Sequence, residues 1–439
     1  MDKSPIGSAD RYGQVDKDIL SAMKRPGRAY LAGLGVTVSL VVIGGLLWAY
    51  QIRNGLGVAG YTHPVNWAVY ITNFVFWVGI AHSGTLISAV LYLFHARYRT
   101  SFNRAAEAMT VFALMVAGLF PLVHLGRSWV FYYLIPYPTQ RLLWVNFRSP
   151  LIWDVFAVGT YFTVSAVFFY VGMIPDFAVA RRLMEGVRKR IYSVLSLGWK
   201  GTEREWRHYN KLYLFLAAFA TPLVASVHSV VSWDFAMSIV PGWHTTIFAP
   251  YFVAGAILSG TAMVITLVVP MRKALNLYSY ITDDHFESIA KILLFTSLIV
   301  TYSYVVEFGL AWYSGNIVEM ESFRYRAFGD YRYLTWTMFF CNSLVPLALF
   351  ARRLRRNTAV LLAVSLLVNV GMWLERFVII VTSLAHDFDP YVWGSTTVYT
   401  PTYVEVGISL GSFGLFFMLY LIFLKTLPVL SITEIKEHL

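Results

Sequence analysis

Apolar residues run in ten blocks, at about 29–50, 66–94, 106–135, 150–174, 211–235, 247–270, 288–313, 333–351, 358–381 and 402–424, with polar and basic residues gathered between them. A helix needs about 20 apolar residues to cross a bilayer, and the blocks match that length. The pattern predicts an all-α polytopic membrane protein with ten transmembrane helices. Composition agrees, since 57% of the 439 residues are hydrophobic and only 13% charged, which excludes an ordinary soluble domain. The first 27 residues are polar and basic, unlike a signal peptide, and are expected to be retained.

Ten spans put both termini on one side. Lys and Arg in the tails and loops of that side number 25, against 6 on the other (Arg53, Arg141, Arg148, Arg324, Arg326 and Arg332), so the termini are expected in the cytoplasm. This asymmetry accounts for the net charge of +11 without invoking nucleic acid. The loop 176–209 carries eight of these cations among Trp and Tyr. It reads as a surface helix at the lipid headgroups, ahead of a protein-docking segment.

Gly79-Ile80-Ala81-His82-Ser83-Gly84-Thr85 recurs as Gly255-Ala256-Ile257-Leu258-Ser259-Gly260-Thr261. Four spans separate the copies, so they cross in the same direction and predict two four-helix bundles in parallel repeat. The expected organisation is a cytoplasmic tail (1–28), an extra helix (29–50), a first bundle (66–235), a second (247–381), another extra helix (402–424) and a second cytoplasmic tail (425–439). The small residues of the repeat read first as packing positions.

Ionisable residues inside spans mark functional sites by default. Here they are His82, His124, Arg127, Asp154, His228, Asp234, Glu307, Glu375, Arg376 and Glu405, and all but His82 and Glu307 fall toward the side away from the termini. His124 and Arg127, three apart, would share one face of the third span. Pro150 opens the fourth span and brings Asp154 to the depth of His124. His228 and Asp234, six apart, serve one pocket only if the fifth helix ends between them. A histidine, a carboxylate and an arginine in an apolar slot near one membrane face suit a quinol, whose oxidation releases two protons to such groups. The alternative is that the arginines merely neutralise carboxylates between helices. In the seventh span Thr296, Ser303 and Glu307 form a stripe that, with His82, is a candidate proton path. The competing and favoured reading has the hydroxyls bonded to their own backbone and Glu307 paired.

The lone Cys341 excludes thiolate-bound iron–sulfur clusters, cysteine zinc sites and disulfides within this chain. Haem is disfavoured because no second helix carries a histidine pair matching His82 and His95. A carboxylate metal site would need Glu-x-x-His spacing, which the spans lack, so no metal site is expected. A secondary transporter stays open as another class, although its site would lie at the midplane.

The runs His82-Ser83-Gly84-Thr85-Leu86-Ile87-Ser88-Ala89, Asn103-Arg104-Ala105-Ala106-Glu107, Pro121-Leu122-Val123-His124-Leu125-Gly126-Arg127 and Arg148-Ser149-Pro150-Leu151-Ile152-Trp153-Asp154 resemble the NrfD/PsrC family of membrane subunits. Within it they look most like the ActC-type quinol-binding subunits of bacterial alternative complex III. The resemblance implies a multi-pass subunit of the bacterial cytoplasmic (inner) membrane that oxidises menaquinol near the periplasmic face. It implies no haem or iron–sulfur cluster in this chain; electrons would pass to an iron–sulfur partner on the periplasmic side and then to multihaem cytochrome c subunits, beside a paralogous membrane subunit. The family's histidine and aspartate match His124 and Asp154, and further pocket residues match His228, Asp234 and Arg376. Proton translocation is also implied, and would rest here on Glu307, His82, Ser303 and Thr296. A non-catalytic anchor of the same complex is the remaining alternative.

Overall fold

The computed structural model describes residues 8–23, 26–136, 147–386 and 398–437. Among them are ten helices long and apolar enough to span a membrane, numbered here α1 (Arg28–Asn54), α2 (Val69–Leu93), α3 (Asn103–His124), α4 (Pro150–Leu183), α5 (Glu203–Ala236), α6 (Phe248–Ala274), α7 (Asp283–Tyr313), α8 (Arg332–Phe350), α9 (Thr358–Ala385) and α10 (Tyr403–Thr426). The first seven residues, Lys24 and Arg25, the loop residues 137–146 with Arg141, residues 387–397 and the last two residues lie outside the described part.

Three boundaries depart from the hydrophobic pattern. The third span stops at His124 and gives way to a tight helical turn, Ser128–Leu134, where continuous helix to 135 is expected. Gly126 adopts φ +68°, and a side chain there would run into Leu56. The fourth and fifth helices are longer than their apolar blocks, so the basic loop shrinks to 184–202 around one short helix, Gly186–Leu195. Asp176, expected in that loop, is a fully buried residue of α4. It can be buried because Arg104 donates to it at 2.9 Å and to Glu107 at 2.8 Å, and Thr433 Oγ1 donates to it at 3.0 Å.

Helices α2–α5 pack as one set and α6–α9 as a second, joined by α2 and α5 against α6 and by α2 against α9. The repeat explains the seam, because its two copies pack on each other. Ser83 Oγ donates to the Ile257 carbonyl at 2.7 Å and lies 2.9 Å from Thr261 Oγ1. A Cβ on Gly260 would fall 2.6 Å from the Ile80 carbonyl oxygen. Backbone cannot retreat from that contact as a side chain would, so Gly260→Ala is expected to lower stability by about 1–3 kcal/mol. The check is the thermal midpoint in detergent, with Gly45→Ala, which has open space around it, as the near-neutral control.

Helices α1 and α10 pair outside the two sets, and α10 also lies against α3. The spacing Gly407-x-x-x-Gly411 allows it, as small residues every four positions let helices approach closely. A Cβ on Gly44 would come within 2.7 Å of Gly411 Cα.

Candidate functional site

A cavity of about 440 Å³ opens between α2, α3, α4 and α5, at the end of the bundle opposite the chain termini. Its walls are apolar: Trp67, Ile71, Phe74, Pro121, Val155, Val158 and Phe235, with Phe131, Leu134 and Ile135 from the turn after α3 closing one side. Sites for small organic ligands span about 300–1,000 Å³ and combine such walls with a few placed polar groups. The polar groups here are His124, Asp154 and Asp234.

Local sequence explains each position. Pro150 stands at the first turn of α4, where a missing N–H is harmless, and Asp154 follows about one turn later. The carboxyl groups of Asp154 and Asp234 lie within hydrogen-bonding reach of each other. Each keeps a buried oxygen with no partner among the described residues. Buried polar atoms are normally satisfied, so this pair is arranged for a ligand, a water or a shared proton. His124 closes the last turn of α3, and its Nδ1 lies 3.1 Å from the Tyr61 hydroxyl.

Tyr61 comes from the loop between α1 and α2, where no apolar block pointed to it. Glu405 anchors that loop by accepting from Gly60 N at 2.8 Å and from the Tyr399 hydroxyl at 2.6 Å. Burial first, and then the Glu405 carboxylate, push the Tyr61 phenol above its ordinary range, so it remains a neutral hydroxyl beside the imidazole. Behind it, Tyr70 donates to Gln51, whose amide donates to the Val123 carbonyl at 3.0 Å and ties α1 to the end of α3.

Other residues expected at this site lie elsewhere. Arg127 is exposed and is no part of the cavity wall; the helix ends at His124, so the three-residue spacing no longer implies a common face. Helix α5 runs unbroken past both His228 and Asp234, so only Asp234 faces the cavity. His228 is fully buried on another side, 4.6 Å from His82 between ring centroids. Arg376 is also away from the cavity wall: its guanidinium lies 4.2 Å above the Phe252 ring and 3.1 Å from Glu375. Glu375 accepts from Tyr304, and Asn342 donates to Tyr304 at 2.9 Å.

In α7 each residue of the stripe has a near partner. Thr296 and Ser303 donate to carbonyls of their own helix at 2.9 and 3.0 Å. Glu307 pairs at 3.1 Å with Arg326, which sits buried in the helix Ile317–Phe328 although the hydropathy pattern places it in an exposed loop. His82 does not join them: its Nδ1 lies 2.6 Å from the Val78 carbonyl, and its Nε2 has no partner among the described residues.

Residues 57–386 match the family described as polysulphide reductase, NrfD. The chain belongs to the NrfD family. Among its relatives, a protein of Halobacterium salinarum named as a membrane subunit of dimethyl sulfoxide reductase is 26% identical over 96% of each chain. A selenate reductase subunit from Mesobacillus selenatarsenatis is 21% identical over 90% of this chain and 93% of its own. The Hdr-like menaquinol oxidoreductase integral membrane subunit of Archaeoglobus fulgidus is 21% identical over 36% of this chain and 38% of its own.

The NrfD match begins just before Tyr61 and ends after α9, so it contains the whole cavity and both helix sets. Gln51 and Glu405, which brace the cavity from behind, lie outside it on α1 and α10. Among the described residues of this NrfD chain, no group of three or more His, Cys, Asp or Glu is placed to hold a metal ion.

Proposed function

We propose that this NrfD-family chain is the quinone-reactive membrane subunit of an oxidoreductase complex, and that the α2–α5 cavity takes the ring of a quinol, menaquinol in the first instance. The observation that carries this is the placement of His124, Asp154 and Asp234 in the wall of an otherwise apolar cavity near one end of the helices. The walls suit a flat ring and its isoprenoid tail. As the quinol gives up two electrons, its two hydroxyl protons pass to His124 and to the Asp154 carboxylate, with Asp234 hydrogen-bonded beside it.

Electrons leave to an iron–sulfur partner docked on the same face. The excess of basic residues on the termini side makes that face periplasmic and both termini cytoplasmic in this reading. Relatives named as subunits of two reductases and as the integral membrane subunit of a menaquinol oxidoreductase support quinone chemistry within a larger complex. The finer alternative complex III arrangement, with multihaem cytochrome c and a paralogous membrane subunit, rests on the ActC-like motifs.

Photolabelling with an azido-naphthoquinone tests the reading. Adducts are expected on cavity residues such as Trp67 or Phe131, and are competed by menaquinol; labels confined to lipid-facing surfaces would refute it. Tyr61→Phe keeps the ring and removes the hydroxyl that holds His124. A hydrogen bond contributes about 0.5–1.5 kcal/mol net, so quinol-dependent turnover is expected to fall by up to about tenfold. The measurement is steady-state reduction of the complex by a soluble quinol.

A further inference from the structure

The end of the molecule that carries the termini has a second cavity, also of about 440 Å³, between the last turns of α4, the loop before α5 and the short helix Ile432–Glu437. Its polar lining is rich in donors. Arg182 and Lys200 face it, and neither side chain has a hydrogen-bond or ion-pair partner among the described residues. The neighbouring Arg181 is fully engaged, donating to Ser196 Oγ at 3.1 Å and to the Trp199 carbonyl at 2.6 Å, and so pins the Trp199 loop against α4. Of the other charged lining groups, Lys436 is committed to Asp16 at 2.6 Å, while Glu437 stands at the rim.

Two neutral donors converge on the same place. Gly201 adopts φ +81°, and a Cβ there would lie 3.9 Å from both Trp199 Nε1 and Trp206 Nε1. Neither indole N–H has an acceptor among the described residues. Two cations and two indole N–H groups, none with a protein partner among the described residues, surround one space in which Glu437 is the one carboxylate of the described lining, and are the complement of an oxyanion.

A neighbouring element sets the depth. The helix Gly186–Leu195 exposes Val187 and Val194, each at 73%, beside Arg188, Lys189 and Arg190. A basic helix with an uncovered apolar face lies in the headgroup layer of a bilayer, and paired tryptophans favour the same layer. The cavity therefore opens among lipid headgroups.

We propose that this cavity binds a phosphate group, supplied by the headgroup of an anionic phospholipid held between α4, the Trp199 loop and the first turn of α5. Arg182 and Lys200 neutralise the phosphate, and the two indoles donate to its oxygens. The choline of a zwitterionic lipid would instead bring a third cation against Arg182 and Lys200.

The test uses the delipidated complex in detergent, with phosphatidylglycerol, phosphatidylcholine or inorganic phosphate added. Bound lipid is counted by native mass spectrometry, and the thermal midpoint is followed in parallel. Phosphatidylglycerol is expected to be retained and to raise the midpoint, with affinity at least tenfold above that of phosphatidylcholine. R182Q/K200Q and, separately, W199F/W206F should each weaken that retention about tenfold, whereas K189Q/R190Q, outside the cavity, should not. Lipid-free midpoints equal to wild type show that the variants fold. If inorganic phosphate raises the midpoint as much as the lipid does, the site takes phosphate from solution and the lipid assignment falls. Equal retention of both lipids, unchanged by either cavity variant, overturns the proposal altogether.

Discussion

Membranes carrying Asp154→Asn are expected to lose quinol-dependent reduction of the complex's redox centres by about 100-fold or more, with the complex fully assembled. The amide is nearly isosteric with the carboxyl group and can still hydrogen-bond Asp234, which lies within reach, so the cavity keeps its shape. What it loses is the ability to accept a proton, and a positioned acid–base group contributes about 10²–10⁴-fold to rate. His124→Ala should act in the same direction, and Asp154→Glu should restore part of the rate, since it returns a base on a longer arm. His228→Ala, whose side chain is no part of the cavity wall, should leave quinol affinity close to wild type. Subunit stoichiometry and the kinetics of cluster reduction after a quinol pulse are the measurements. Wild-type kinetics in Asp154→Asn would remove this cavity from the chemistry and leave the chain as a membrane anchor.

Arg104→Met is expected to prevent stable accumulation of the chain. Arg104 is 1% exposed and bridges Glu107 and Asp176, donating also to the Gly172 carbonyl. Removing it strands two carboxylates in a buried site, and breaking a buried ion pair by losing one partner costs about 3–5 kcal/mol. That is a large share of the roughly 5–15 kcal/mol that holds a typical domain together. The remaining partners, Tyr213 on Glu107 at 3.1 Å and Thr433 on Asp176 at 3.0 Å, carry no positive charge to replace it. The triple variant R104M/E107L/D176L removes all three charges together and should recover much of the folded protein, because apolar replacement of a whole buried cluster is often neutral or stabilising. Size-exclusion profiles of the detergent-solubilised chain distinguish the two. Normal yield from Arg104→Met alone would show that solvent or lipid headgroups already screen the cluster.

Much of the architecture is legible in one dimension. Bilayer thickness imposes a length on each apolar block, so ten spans can be counted from hydropathy, and rise per residue then sets the depth of each polar group. His124 and Asp154 are expected at a common depth on that basis, because Pro150 marks where α4 begins, and in the structure both line one cavity. The small-residue repeat likewise announces a close seam, which Ser83, Thr261 and Gly260 form.

Rotation about the helix axis is what the pattern leaves open. His228 and Asp234 lie on one helix, about 9 Å apart along its axis, and one faces His82 while the other faces the cavity, since six residues turn the helix through well over a full circle. Whether α5 ended between them was a question of tertiary contact, and it continues. Arg376 matches a pocket residue by position but turns to Glu375 and Phe252, where opposite charge and an aromatic face are available in a low-dielectric seam. Arg326 and Asp176 read as loop charges because hydropathy averages over windows; each is buried by a partner on another helix, Glu307 and Arg104. Tyr61 carried no signal at all, being a loop aromatic brought to His124 only because Glu405, at the far end of the chain, holds Gly60. The sequence by itself therefore determined how many segments are long and apolar enough to cross and roughly where each begins and ends, since that follows from local hydropathy and a fixed rise. Only the tertiary structure decided which way each group faces and what it meets, because azimuth and partnership are set by packing between helices that are far apart in the chain.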